Sequence, residues 1–167
     1  MEKYSRLIQF SAGLTSIVFG VLVYVIDRPS IYIPSPFSNI SLYHQESALS
    51  FGSFSNNMPS FFHTFSFCLF LSCINTQRKI KYTQITIFWL LIEISFEFMQ
   101  APAFSEWLEQ TQFCKDDSGY IFFNICAFIK NGYFDTADVV ASFLGAALAY
   151  SVMLITTKEK KNVKISK

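Results

Sequence analysis

The sequence predicts an all-α fold: a polytopic membrane protein built as a four-transmembrane-helix bundle with both termini cytoplasmic. Three observations predict it. The 167 residues are 51% hydrophobic and only 15% charged, with 20 Phe and 8 Tyr, too little charge to cover a soluble protein of this length. Four stretches, about 7–26, 60–76, 84–101 and 135–157, approach the roughly 20 apolar residues that cross about 30 Å of hydrocarbon. Ten of the 13 Lys and Arg fall in three segments: Lys3 and Arg6; Arg78, Lys79 and Lys81; and Lys158, Lys160, Lys161, Lys164 and Lys167. In a four-helix topology those segments share one side, which the positive-inside rule makes cytoplasmic. The outer loops, 27–58 and 102–134, hold only Arg28, Lys115 and Lys130. The chain 1–167 thus reads as one membrane domain.

The first helix follows Lys3 and Arg6 as a signal peptide would. Its apolar run is too long for a signal core and no small-x-small site follows, so it reads as a retained helix. Ala12, Ser16 and Gly20 recur at four-residue spacing, a pattern that lets helices approach closely but also arises in ordinary helices. Pro29, Pro34 and Pro36 then bar continuation of the helix. The loop that follows is rich in Ser, Asn and Pro with interleaved apolar residues, which places it along the membrane surface.

The second helix, the shortest, opens at Pro59 and Ser60, with Ser60 a candidate cap, and carries His63 near its outer end. Its Cys68 and Cys73 read as inert buried thiols. In the second outer loop, residues 104–113 form an amphipathic segment, 115–119 a turn, and 120–129 an apolar run too short to span. Cys114 and Cys126 flank that turn on the oxidising side; a disulfide hairpin and two free thiols are both compatible with the sequence. The fourth helix starts with Asp135 and Asp138, which suit a helix N-terminus. Ser142, Gly145, Ala146 and Ala149 then give it a small-residue face for close packing.

The third helix carries Glu93, Glu97 and Gln100 within the apolar run 85–101. Spacings of four and three put them on one face. A carboxylate in hydrocarbon is costly and faces a protein interior or a cavity. At 1.5 Å per residue, Glu93 lies near mid-membrane and Gln100 near the outer surface. His63, Asp135 and Asp138 fall at the outer level too, so distant polar positions converge on the outer half. The inner half shows no matching set. The bland alternative is that the carboxylates are interhelical glue, but hydrogen bonds of about 0.6–2 kcal/mol hardly offset burying two of them.

These residues also carry a resemblance. Glu93-xxx-Glu97-xx-Gln100, an outer loop, and then FDTADVVASFLGAALAY (134–150) resemble the VanZ-like membrane proteins, over roughly residues 57–150. The matching positions are Glu97, Gln100, Asp138 and Gly145, with Asp135 as companion; PSFFHTFSF (59–67) matches at His63. Where the family often has an Arg before the Asp pair this chain has Lys130 and Gly132, and Ser142 stands where an Asn is common. The resemblance implies a bacterial plasma (inner) membrane location, multi-pass, and an envelope-related role; the family's founding member is associated with resistance to the glycopeptide teicoplanin.

Three functions fit. The leading one is a non-catalytic, outward-facing polar pocket formed by His63, Glu93, Glu97, Gln100, Asp135 and Asp138. It would bind membrane lipid, a lipid-linked envelope precursor or a membrane-protein partner. The second is an intramembrane enzyme acting on a lipid-linked substrate, with Glu97 as general acid or base and His63 and Asp138 assisting. The third is a proton-coupled carrier on the glutamate pair, which with four helices would need a homo-oligomer. No ligand spacing supports a metal, nothing calls for a cofactor, and no basic patch on a folded face points to nucleic acid.

Overall fold

The fold is given by a computed structural model that describes residues 2–27, 55–75, 80–111 and 132–165, together with Cys126 and Ile129. The outer-loop residues 28–54, the turn 115–119, most of the apolar run 120–129, Cys114, Lys130 and the joining residues 76–79 lie outside the described residues. Among the described residues there are five helices and no strand: α1 (Glu2–Asp27), α2 (Met58–Ile74), α3 (Tyr82–Met99), α4 (Pro102–Glu109) and α5 (Thr136–Ile165).

α2 is the centre of the bundle, with α1 packed along one side and α5 along another, and α3 closes against α5 and α2. Small residues make this possible. Gly13 and Gly20 of α1 lie where side chains of Phe70 and Phe62 from α2 press in. Gly13 supplements the Ala12, Ser16 and Gly20 row on this inward face. On α5, Gly145 faces the backbone of α2 itself: a Cβ there would stand 2.5 Å from the Phe61 carbonyl oxygen. Ser142, Ala146 and Ala149 share that buried face. The core comprises Phe65, Cys68 and Leu69 of α2, Ile85 of α3, and Ala149 and Met153 of α5.

The outer surface of this bundle is as apolar as its core. Leu7, Phe10, Leu14, Val18 and Phe19 on α1, Phe88 and Leu91 on α3, and Phe143, Leu144 and Leu148 on α5 are all exposed. A monomer in water does not present so continuous an apolar surface, whereas lipid covers it without cost. Two helical stretches, Tyr4–Asp27 and Thr136–Thr157, are each long and apolar enough to cross a membrane. α3 joins them only when counted together with α4, across a 75° bend, and α2 is an apolar helix of 17 residues. At 1.5 Å per residue α2 is about 25 Å long, short of the hydrocarbon thickness. Among the described residues the structure therefore carries two self-sufficient spans, or three with the bent pair, where the sequence pattern predicts four.

Candidate functional site: the carboxylate-bearing end

α2 and α5 both begin, and α3 ends, at one end of the bundle. Each N-terminus brings a partial positive charge and unpaired N–H groups, which favour carboxylates there. Asp135 uses them directly: its Oδ1 accepts from the Ala137 N–H at 2.8 Å, capping α5. Its Oδ2 accepts from Asn57 Nδ2 at 3.4 Å. Asp138 Oδ1 accepts from Ser60 Oγ at 2.9 Å and from Asn57 Nδ2 at 3.1 Å. From α3, Glu97 Oε2 accepts from the Asp135 N–H at 3.2 Å. Three helices are thereby tied through two aspartates and one glutamate. Asp138, Asp135 and Glu93 all lie near enough to Glu97 to act on it electrostatically.

The second half of the site lies between α2 and α3. Ile85, Trp89 and Glu93 succeed one another at four-residue spacing, and the stripe carries from the core to the polar end. Glu93 is 9% exposed. Its Oε1 stands 2.7 Å from His63 Nδ1, while the imidazole keeps 45% of its side-chain surface exposed. No hydrogen bond of good alignment reaches that oxygen among the described residues. The short separation is a close polar contact between the imidazole and the carboxylate, not an aligned hydrogen bond. An aromatic wall flanks the imidazole: it stands edge-on to Phe67 at 4.4 Å between centroids and to Trp89 at 6.3 Å, and Phe67 and Trp89 pack at 4.7 Å.

Gln100 caps the arrangement. Its amide occupies the space a side chain would need at Gly132, so the residues leading into α5 lie directly on it. A side chain there would oblige the Gln100 amide to swing aside. The structure thus brings His63, Glu93, Glu97, Gln100, Asp135 and Asp138 to one end in two adjoining groups: His63 with Glu93, and Glu97 with the aspartates. Sequence reasoning missed Asn57 altogether and took Ser60 for a cap. Neither caps α2 through its side chain; both turn to the aspartates of α5. The signal was available in the spacing Asn57-xx-Ser60, one face of a first turn that enters beside the Asp pair.

The expected lack of polar residues at the opposite end needs correction. Gln9, 2% exposed, donates from Nε2 to Thr156 Oγ1 at 2.7 Å and accepts from Ser72 Oγ at 2.9 Å. Tyr82 and Thr157 hydroxyls meet at 2.8 Å. This set joins all four long helices but is neutral, so inspection of the charges alone passes over it. Among the thiols, Cys68 and Cys73 are free and Cys126 is disulfide-bonded.

Chemically, the carboxylate-bearing end is a concentration of acceptors at the mouth of an apolar bundle, with one half-exposed imidazole. Among the described residues, no group of three or more His, Cys, Asp or Glu side chains is arranged to hold a metal ion. Comparison with family models, curated proteins and solved structures finds no match to this chain.

Proposed function

We propose that this chain is a VanZ-like protein of the bacterial plasma membrane, crossing it four times with both termini cytoplasmic. Its carboxylate-bearing end faces outward and binds a lipid headgroup, a lipid-linked envelope precursor or a partner helix without transforming it. The observation that carries this reading is the convergence of His63, Glu93, Glu97 and Asp138, from three helices, at one end of an otherwise apolar bundle. The distribution of Lys and Arg supports the orientation. α2, though short, is sheathed by α1 and α5 and does not rely on lipid contact to stay in the membrane. A site made of carboxylates favours a ligand that brings hydrogen-bond donors or positive charge.

One observation favours a second reading, an enzyme acting on a lipid-linked substrate. A buried carboxylate 2.7 Å from Nδ1 of a half-exposed histidine would orient the ring so that its other nitrogen exchanges protons with a bound molecule. In that reading Glu93 rather than Glu97 is the partner of His63.

Native mass spectrometry of protein extracted with its own lipids tests the leading reading. Wild type is expected to retain a particular lipid or precursor that Glu97→Gln/Asp138→Asn loses. Equal retention by both refutes the binding site. A retained lipid that wild type converts and His63→Gln does not would move the assignment to the enzyme.

A further inference from the structure

The helix α4 has no part in the site just described, yet it is the most segregated of the described helices. At 100° per residue, Ala103, Phe104, Trp107 and Leu108 fall on one arc and Ser105, Glu106 and Glu109 on the other. Phe104 and Trp107 pack ring to ring at 5.4 Å, and Trp107 is 57% exposed. α4 leaves α3 at 75°. With α3 near the membrane normal, its axis lies within about 15° of the membrane plane, a departure no larger than ordinary helix tilt. Further aromatic residues stand around the same end: Phe98 and Phe134 pack at 5.8 Å, and Tyr133 is 74% exposed.

We infer that α4 is an in-plane anchor, its Phe104–Trp107 face sunk into the lipid headgroup layer, and that it sets the depth of the carboxylate-bearing end. The inference rests on the membrane reading above. The occupant of this face is lipid because the face is apolar and exposed at the end of an apolar-surfaced bundle where Phe98 and Tyr133 are exposed as well. Large aromatic rings at that boundary are the side chains that prefer headgroup depth. The charge selects which lipid: residues 102–111 contain Glu106 and Glu109 and no Lys or Arg, so a zwitterionic surface suits α4 better than an anionic one. Gln100, one residue before the Ala101 bend, is thereby held at headgroup level, with Glu97 one turn below it.

The chain's two tryptophans, Trp89 and Trp107, make the test direct. Protein is reconstituted into phosphatidylcholine vesicles carrying a nitroxide either near the glycerol or near the end of the acyl chain. Trp107 emission is read alone in Trp89→Phe, and also as the difference between wild type and Trp107→Phe, in case removal of the Trp89 ring disturbs folding. Quenching is expected to be about twofold stronger from the shallow nitroxide. Emission quenched by aqueous iodide and by neither nitroxide would overturn the proposal, placing α4 in water. Stronger quenching from the deep nitroxide would overturn it too, making α4 the end of a broken span. Phe88→Trp in a Trp89→Phe/Trp107→Phe background separates the two readings, because position 88 is exposed midway along α3, whereas Trp89 packs against the core. A tryptophan at 88 blind to both nitroxides removes the membrane reading and α4 with it, whereas a responsive one with a blind Trp107 removes only the anchor.

Discussion

Replacing Gly145 with Ala is the most direct test of how α2 and α5 are joined. The new Cβ would stand 2.5 Å from the Phe61 carbonyl oxygen and 3.3 Å from the Phe65 nitrogen. A carbon–oxygen contact relaxes at about 3.3 Å, so α5 must retreat from α2 by roughly 0.8 Å. Because the obstacle is helical backbone, no rotamer change relieves it. Overpacking of this kind costs about 1–3 kcal/mol, a factor of roughly 5–150 in the folding equilibrium. The retreat also reaches the site two turns away, stretching the 2.9 Å contact between Ser60 and Asp138 towards the limit of a hydrogen bond. Reversible unfolding in mixed micelles, titrated with dodecyl sulfate and followed by circular dichroism, measures the cost. Ala147→Leu, on the exposed face of α5, is the control and should move stability by no more than about 0.5 kcal/mol. If Gly145→Ala unfolds at the same dodecyl sulfate fraction as wild type, the close approach is not what joins these helices.

Two further outcomes follow from the packing. Gln9→Leu removes the acceptor of Ser72 and the donor to Thr156 and should cost about 1–2 kcal/mol in the same titration. Adding Ser72→Ala should recover part of that loss, since it removes the stranded donor; no recovery would mean that Ser72 finds another partner. Gly132→Ala drives a Cβ into the Gln100 amide. Because that amide can swing aside, a cycle with Gln100→Ala should show a modest coupling of about 0.5 kcal/mol, and simple additivity would contradict the contact.

What could be read from the sequence was set by the strength of each signal. The apolar runs behind α1 and α5 are unmistakable because burial in lipid demands them along nearly the whole length. The convergence of His63, Glu93, Glu97, Asp135 and Asp138 at one end is legible from helix direction and rise alone. Which carboxylate meets His63 is not, because Glu93 and Glu97 differ by one turn and 40° of rotation, a difference only tertiary packing resolves. Asn57 and the Gln9–Ser72–Thr156 set are invisible for another reason: uncharged polar residues are common in any helix, and a hydrogen bond worth about 0.6 kcal/mol leaves no mark on composition. The bend at Ala101 was foreshadowed by Pro102, which starts a helix more readily than it continues one.

The central position of α2 has a consequence for how the protein is made. α1 and α5 are apolar enough to partition from the insertion machinery into lipid by themselves. α2 is short and buries Thr64, Ser66 and Ser72 against its neighbours, and the neighbour that covers Asn57, Ser60 and Phe61, α5, is synthesised after α1, α2 and α3. Until α5 emerges, α2 is a half-wrapped helix whose available shelter is α1, α3 or a chaperone. Assembly is therefore committed only once α5 is in place, and truncation before residue 136 should yield a chain that inserts α1 and is degraded rather than a stable fragment of α1, α2 and α3.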